Sequence, residues 1–553
     1  VTRQVEVTKV SDTSGERVGR SAAIISGITM LSRIVGFGRI MVLAWAVGAG
    51  SVLDVYNTAN RVPNILYEIA AGGALAALVV PLLAAPLARR QPEIVNRTAS
   101  ALLTWSLVTL VPLGIIVALL AEPIMRLLTG GGGDSSPEAI EVGTRMIQVF
   151  APQLPLYGIG VVLTGILHAH RRFSWPALAP LLSSLAVITA YLIYGIFSPP
   201  GRVVADLPLS QELVLSVGTT MATVVMTFCL LIPLRKVGIR LRPTLRFGGD
   251  LTRQVRTMAL TGGISIAAWQ ASLLLILALT NQGLRGTVGL FTIALTVYML
   301  PWGVFAMPLS LSSYPALSEA HGVGDQTRYA STLSVTTRRV TMLAGLGAAA
   351  LIGLAVPIAQ IFGGITNTSD VDPQLSFTGS LTAALTALGP GLLGFSLYPL
   401  LTRALYARGA MVAAAVATTA GWAVAYGAAI VFSVILPVTD RALAVAIGNS
   451  IGMTVLGAAL LTTVAWRAGR ESLVGVGWAL VVSITATAAS ALAGRWVATL
   501  WGTGMSLGEA ILAGVCGGTA ILAVFGVVSY VMDKRDVRPI VAAGLARLRM
   551  MKR

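Results

Sequence analysis

Fourteen apolar runs of about 20 residues or more follow one another along this chain. They lie roughly at 21–48, 55–88, 100–121, 143–169, 175–197, 212–233, 255–280, 287–316, 336–362, 378–406, 409–436, 441–466, 474–500 and 505–532. A run of that length crosses the hydrocarbon core of a bilayer as a helix, whose backbone polar groups are satisfied within the segment. A chain built almost wholly of such runs is left one fold class: an all-α polytopic membrane protein with about 14 transmembrane helices. Composition agrees, with 55% hydrophobic and only 11% charged residues and a mean hydropathy of +0.82. The runs are numbered here as spans 1 to 14.

The net charge of +17 would suggest nucleic acid in a soluble protein. Here the excess sits in the loops, and no aromatic–basic platform accompanies it. The loops after even-numbered spans, taken with the span ends beside them, carry 19 basic residues, Arg338 among them, against 5 after odd-numbered ones. That asymmetry places the even loops, and with them both termini, in the cytoplasm. The first 20 residues are polar and show no signal-peptide pattern.

Val62-Pro63 and Leu300-Pro301 are 238 residues apart, as are Leu163-Thr164 and Leu401-Thr402. A shared offset across six spans predicts two six-helix lobes in parallel repeat, with spans 13 and 14 added as a C-terminal pair. The expected organisation is a cytoplasmic N-terminal segment (1–20), an N-lobe (21–233) and a basic cytoplasmic linker (234–256). A C-lobe (257–466), the helix pair (474–532) and a basic cytoplasmic tail (533–553) follow.

Spans 1 and 2 carry charges in apolar surroundings: Arg33, Arg39, Asp54, Arg61 and Glu68. A charge at membrane depth costs a few kcal/mol on the mildest scale, so these groups are expected to face a polar, water-filled interior. Arginine forks onto phosphate oxygens and stays protonated at any working pH, which points to an anionic cargo. Arg33 and Arg39 are about 9 Å apart along a helix axis. Gly36 and Gly38 between them predict a bend or a local unwinding. Arg61, Asn64 and Glu68 share one helix face. Arg33, Arg39, Arg61 and Asn64 are the candidate substrate-binding residues. Asp54 and Glu68 are candidates for gating or charge tuning, although Asp54 is also placed to cap its own helix.

Gly72-Gly73 favours close helix packing, and Trp269-Gln270 offers polar groups at depth in span 7. Cys229 and Cys516 are far apart, and His168, His170 and His321 do not cluster, so neither a disulfide nor a metal site is expected. No phosphate-binding glycine loop and no nucleophile–base grouping occurs. No cofactor and no catalytic residue is expected; the chain is a transporter rather than an enzyme.

At these residues the chain resembles a known family. SRIVGFGR (32–39), GAG before Asp54, and NRVPN (60–64) are similar to the N-terminal signature of the MurJ (MviN) lipid II flippases. These belong to the multidrug/oligosaccharidyl-lipid/polysaccharide exporter superfamily. GILHAHRRFSWPALAP (165–180) and Arg403 with Leu405-Tyr406-Ala407 resemble two further family motifs. The resemblance implies a flippase that moves lipid II, an undecaprenyl pyrophosphate carrying a disaccharide-pentapeptide, from the inner to the outer leaflet of the bacterial cytoplasmic membrane. It implies alternating access, a cationic cavity for the headgroup and a groove extended by spans 13 and 14 for the tail. The partners it implies are lipid II, membrane lipids and cell-wall synthesis proteins. Arg33 and Arg39 match the family's functional arginines, and Asp54 its acidic residue opening span 2.

The chain departs from the family pattern at Ile40, Glu68, Gly72-Gly73, Thr296 and Ala410–Ala414. Actinobacterial relatives diverge in a similar way. With Thr296 where the family has an arginine, the anion site is expected to rest mainly on the first lobe. Two alternatives stay open: export of another polyprenyl-linked glycan, and a transport-inactive cell-wall scaffold.

Overall fold

The computed structural model describes residues 8–68, 79, 82–83, 86–87, 89–130, 136–170, 172–198, 202–235, 237–239, 241–245, 269–502, 504–533 and 538, with only the backbone for 8–26 and 29. Among the described residues the chain is helical, without strands. Ten helices are long and apolar enough to cross a membrane, or twelve when two bent pairs each count as one span. These twelve correspond to spans 1, 3–6 and 8–14. Spans 2 and 7 are represented by the helices Ser51–Tyr67 and Trp269–Asn281. The rest of 55–88 lies largely outside the described residues and 255–268 wholly so, as do Gly72-Gly73, most of the basic linker and most of the tail.

The helices outrun their apolar windows. The first runs from Thr8 to Val47 and is continuous through Gly36 and Gly38, so the expected unwinding does not occur. Both glycines face open space. An unbroken ladder keeps the peptide groups bonded at depth, which outweighs the roughly 1 kcal/mol that a glycine costs in a helix. The breaks fall at prolines instead. Pro357 has no N–H for the carbonyl of Gly353. There the Gln326–Gly353 and Ala355–Ile365 helices of span 9 bend by 58°. Pro390 separates Phe377–Leu388 from Gly391–Ala407 in span 10, a 49° bend. Pro301 is followed by a π-helical turn, Trp302–Ala306. Glu68, five residues after Pro63, is likewise in π conformation.

The chain divides into two compact units. One groups residues up to 47 with 58–125 and 140–266; the other groups 48–57, 126–139 and everything from 267 onward. The core of the first unit joins Ala99 and Leu102 to Leu163, Ile166, Cys229 and Leu230. Near one end of the unit, Glu212 is buried and receives a forked contact from Arg145, with NH2 to Oε2 at 2.7 Å and Nε to both carboxylate oxygens at 3.0–3.1 Å.

The second unit is stitched by small residues and hydroxyls, as helix packing in lipid favours. The Val476–Thr499 helix lies on Gln326–Gly353, where Ser483 donates to the carbonyl of Thr341 and Thr487 to that of Gly345, both at 2.9 Å. Arg338, which the loop count treated as a loop residue, is buried inside that same helix. Its guanidinium donates to the carbonyl of Val474 at 3.0 Å. Spans 13 and 14 thus pack with the second unit.

Candidate functional site

Arg33 is exposed and Arg39 half-buried on the first helix, and Arg61 is half-buried on Ser51–Tyr67. Arg39 and Arg61 lie close enough to repel one another. Neither they, nor Arg33, nor Glu68 form an ion pair or hydrogen bond with any described residue. Two like charges in an apolar lobe without a carboxylate partner are a standing electrostatic cost. A bound anion would relieve it.

Asn64, on the same face, is already engaged. Its Oδ1 accepts from Tyr157 Oη at 2.9 Å and its Nδ2 donates to the carbonyl of Asn60 at 2.8 Å. Tyr157 also packs against Tyr67, with ring centroids 4.6 Å apart, and reaches Gln153, which donates to Thr220 at 3.1 Å. These polar groups tie span 2 to spans 4 and 6 and set the rotation of the helix that carries Arg61. The sequence offered no sign of Tyr157 or Gln153. Beside them lies a cavity of about 350 Å³ lined by Tyr67, Tyr157, Thr164 and His168 among others. Thr296, the counterpart of a family arginine, bonds back to the carbonyl of Thr292 at 2.8 Å. Gln270 is buried, with no partner for its Oε1 among the described residues, and Trp269 stacks on Trp422.

A second constellation lies wholly within the second unit. Asp54 is buried, and its carboxylate reaches the start of a different helix. Oδ2 accepts the backbone N–H of Gly286 at 2.7 Å and Oδ1 that of Gly289 at 2.6 Å. Gly286 precedes the Thr287–Pro301 helix with φ at +97°, so the carboxylate sits where a helix N-terminus attracts negative charge.

The arrangement is reciprocal. Asp370, in the loop after span 9, accepts from Ser51 N at 2.7 Å and Ser51 Oγ at 2.5 Å, at the start of the Ser51–Tyr67 helix. Arg285 bridges to the other oxygen of Asp370 at 3.2 Å. Glycines make the fit possible: a Cβ on Gly50 would stand 2.4 Å from the Asp370 carboxylate, and one on Gly286 2.8 Å from the carbonyl of Ala49. Asp370 and Arg285 were not among the residues expected from sequence.

Bent apolar helices in two units, with a buried carboxylate held between helix ends, define a polytopic membrane protein. In fold the chain is similar to a structure titled as an inward-facing multidrug resistance MATE family transporter, with a TM-score of 0.62 at 17% identity, over 82% of this chain and 98% of that one. A structure titled "Lipid II flippase MurJ, inward closed conformation" matches with a TM-score of 0.69 at 19% identity, over 92% and 99%. The model of the family described as "Lipid II flippase MurJ" matches residues 43–512, and the chain belongs to that family. A lipid II flippase MurJ of Burkholderia cenocepacia is 27% identical over 398 residues, covering 70% of this chain and 73% of that one. The family match begins just after Arg39, so Arg33 and Arg39 rest on their own motif.

Proposed function

We propose that this chain flips lipid II from the inner to the outer leaflet of the bacterial cytoplasmic membrane by alternating access. The observation that carries this reading is the Arg39–Arg61 pair: two cations with no ion pair among the described residues, in a member of the MurJ family. A pyrophosphate offers each guanidinium a forked, charge-assisted contact and removes their mutual repulsion. Arg33, one and a half turns before Arg39 and exposed, adds to the same field and meets the phosphate first.

Asn64 acts in this scheme through Tyr157, holding the face that presents Arg61. Glu68 lowers the local positive charge, so that the anion is released as well as bound. Asp54 works at the opposite end of its helix, as a latch whose opening accompanies export. Both termini face the cytoplasm, following the arginine asymmetry of the loops. Cell-wall synthesis proteins are the partners such a step would serve.

One rival reading shares the anion. Another polyprenyl-linked glycan would present the same pyrophosphate, whereas a cationic drug would be repelled. Complementation of a bacterium depleted of its own MurJ tests the proposal. Arg39→Ala is expected to abolish rescue while the protein still inserts in the membrane. Full rescue by Arg39→Ala and by Arg61→Ala would remove the cargo role.

A further inference from the structure

The segment joining the two six-span halves binds the outside of the first unit in an unusual way. Residues 241–245 run outside any regular element beside the Pro92–Leu119 helix. The N–H of Arg242 donates to Ser100 Oγ at 3.0 Å and that of Thr244 to Thr104 Oγ1 at 3.1 Å; Trp105 Nε1 donates to the carbonyl of Leu245 at 3.0 Å. Ile239 and Leu241 pack against the unit's core. Arg242, between Leu241 and Thr244, is exposed.

Between helix and segment opens a cavity of about 510 Å³, lined by Glu93, Asn96, Arg97, Ser100, Arg242 and Thr244 among others. Arg97 and Arg242 are both exposed and neither forms an ion pair with a described residue. Glu93 offsets one of the two charges and leaves the pocket net positive. Further along the same helix Val108, Val111, Ile115 and Ile116 stand exposed, the apolar stripe that a membrane-crossing helix shows to acyl chains. The exposed ring of Trp105 lies between stripe and pocket, where indoles mark the headgroup level.

We infer that this pocket is a headgroup site for an anionic phospholipid of the inner leaflet. Its phosphate sits between Arg97 and Arg242, and its acyl chains lie along the stripe. The chemistry is that of a phosphate diester met by two guanidiniums. The pocket lies on the face that the loop arginines assign to the cytoplasm, where anionic lipid is enriched. The inference does not rest on what the protein transports. A bound lipid would fix the linker to span 3.

Native mass spectrometry of the purified full chain tests it, with phosphatidylglycerol, phosphatidylcholine and inorganic phosphate as separate probes. The wild type is expected to retain phosphatidylglycerol over phosphatidylcholine. Arg97→Gln and Arg242→Gln should each weaken that binding about 5-fold, and the double variant about 25-fold, the scale of one basic residue near an anionic membrane surface. Glu93→Gln should strengthen it by a similar factor, and this variant decides the matter even where the double variant folds poorly. Equal retention of the two lipids, or unchanged retention in the Arg97 and Arg242 variants and in Glu93→Gln, would overturn the site. Inorganic phosphate binding as tightly as phosphatidylglycerol would overturn the lipid as its source.

Discussion

Asp54 Oδ1 accepts the backbone N–H of Gly289 at 2.6 Å, across 235 residues of sequence. With Gly286 on its other oxygen, the carboxylate occupies the N-terminus of span 8 as a bound anion would. Asp370 does the same for the first turn of span 2. Two helix starts are thus each held by a carboxylate from elsewhere in the chain, both buried. Charge-assisted bonds of this kind are about twice as strong as neutral ones.

Removing the Asp54 carboxylate leaves two buried N–H groups unmet. Asp54→Ala is expected to destabilise the purified protein by about 3 kcal/mol or more, read as a lower midpoint of thermal unfolding in detergent. Asp54→Asn should recover less than half of that loss, because its amide can accept from only one of the two N–H groups and sets an NH₂ against the other. Full recovery by asparagine would mean that neither the negative charge nor the second hydrogen bond contributes at this helix start.

The glycines around the latch separate tight positions from open ones. Gly286→Ala must hold a positive φ and set a Cβ 2.8 Å from the carbonyl of Ala49, a strain of about 1–3 kcal/mol. Gly38→Ala meets no atom within 4 Å and sits inside a helix, where alanine gains up to about 1 kcal/mol. Thermal unfolding of both variants should therefore shift in opposite directions. A shift in the same direction would contradict the packing described.

Ser51 and Asp370 offer a coupling measurement. Ser51→Ala, Asp370→Ala and the double variant form a cycle whose interaction energy is expected at about 1–3 kcal/mol. A value near zero would show that the Ser51 side chain adds nothing beyond its backbone N–H. Arg285→Ala should cost less than Asp370→Ala, since the Arg285 side chain is more than a third exposed and its pairing is correspondingly screened.

What the sequence made legible follows from periodicity and solvent. Apolar run length alone located twelve of the spans, because a bilayer admits little else, and the lone charges in spans 1 and 2 marked residues with unusual surroundings. Long-range pairing was not legible: nothing local tells Asp54 that its partners lie beyond residue 280. Local rules placed Asp54 to cap its own helix, and they carry no sign of the bonds that its carboxylate makes to Gly286 and Gly289. Arg338 was counted with the loops because an arginine beside a span end reads as solvated, whereas the Gln326–Gly353 helix carries it into the packed unit. Gly36 and Gly38 suggested unwinding by composition, yet the demand for internal hydrogen bonds at depth kept the helix whole. Asn64 was placed on the correct face, but its engagement with Tyr157 depends on span 4, which no spacing in span 2 reveals.

Glu212 gives the first unit a buried carboxylate that depends on Arg145. Arg145→Ala is expected to destabilise by about 1–3 kcal/mol, below the full penalty for a buried pair because the Arg145 side chain is about a third exposed and screened. Replacing both partners together, with Arg145→Met and Glu212→Gln, should recover most of that loss. Circular dichroism melts of the variants in detergent check this; a double variant as unstable as Arg145→Ala would mean that the pair itself, not the stranded charge, carries the stability.

The central claim is that the N-lobe arginines of this chain carry lipid II by its pyrophosphate. Reconstitution in liposomes containing lipid II, with outer-leaflet arrival read by an enzyme or probe confined to the outside, tests it most directly. The account predicts time-dependent flipping by the wild type, a loss of at least 10-fold in Arg39→Ala and Arg61→Ala, about 1.4 kcal/mol of lost stabilisation, and partial retention in Arg39→Lys. Wild-type protein that inserts and folds but moves lipid II no faster than empty liposomes, while moving another polyprenyl pyrophosphate, would contradict it.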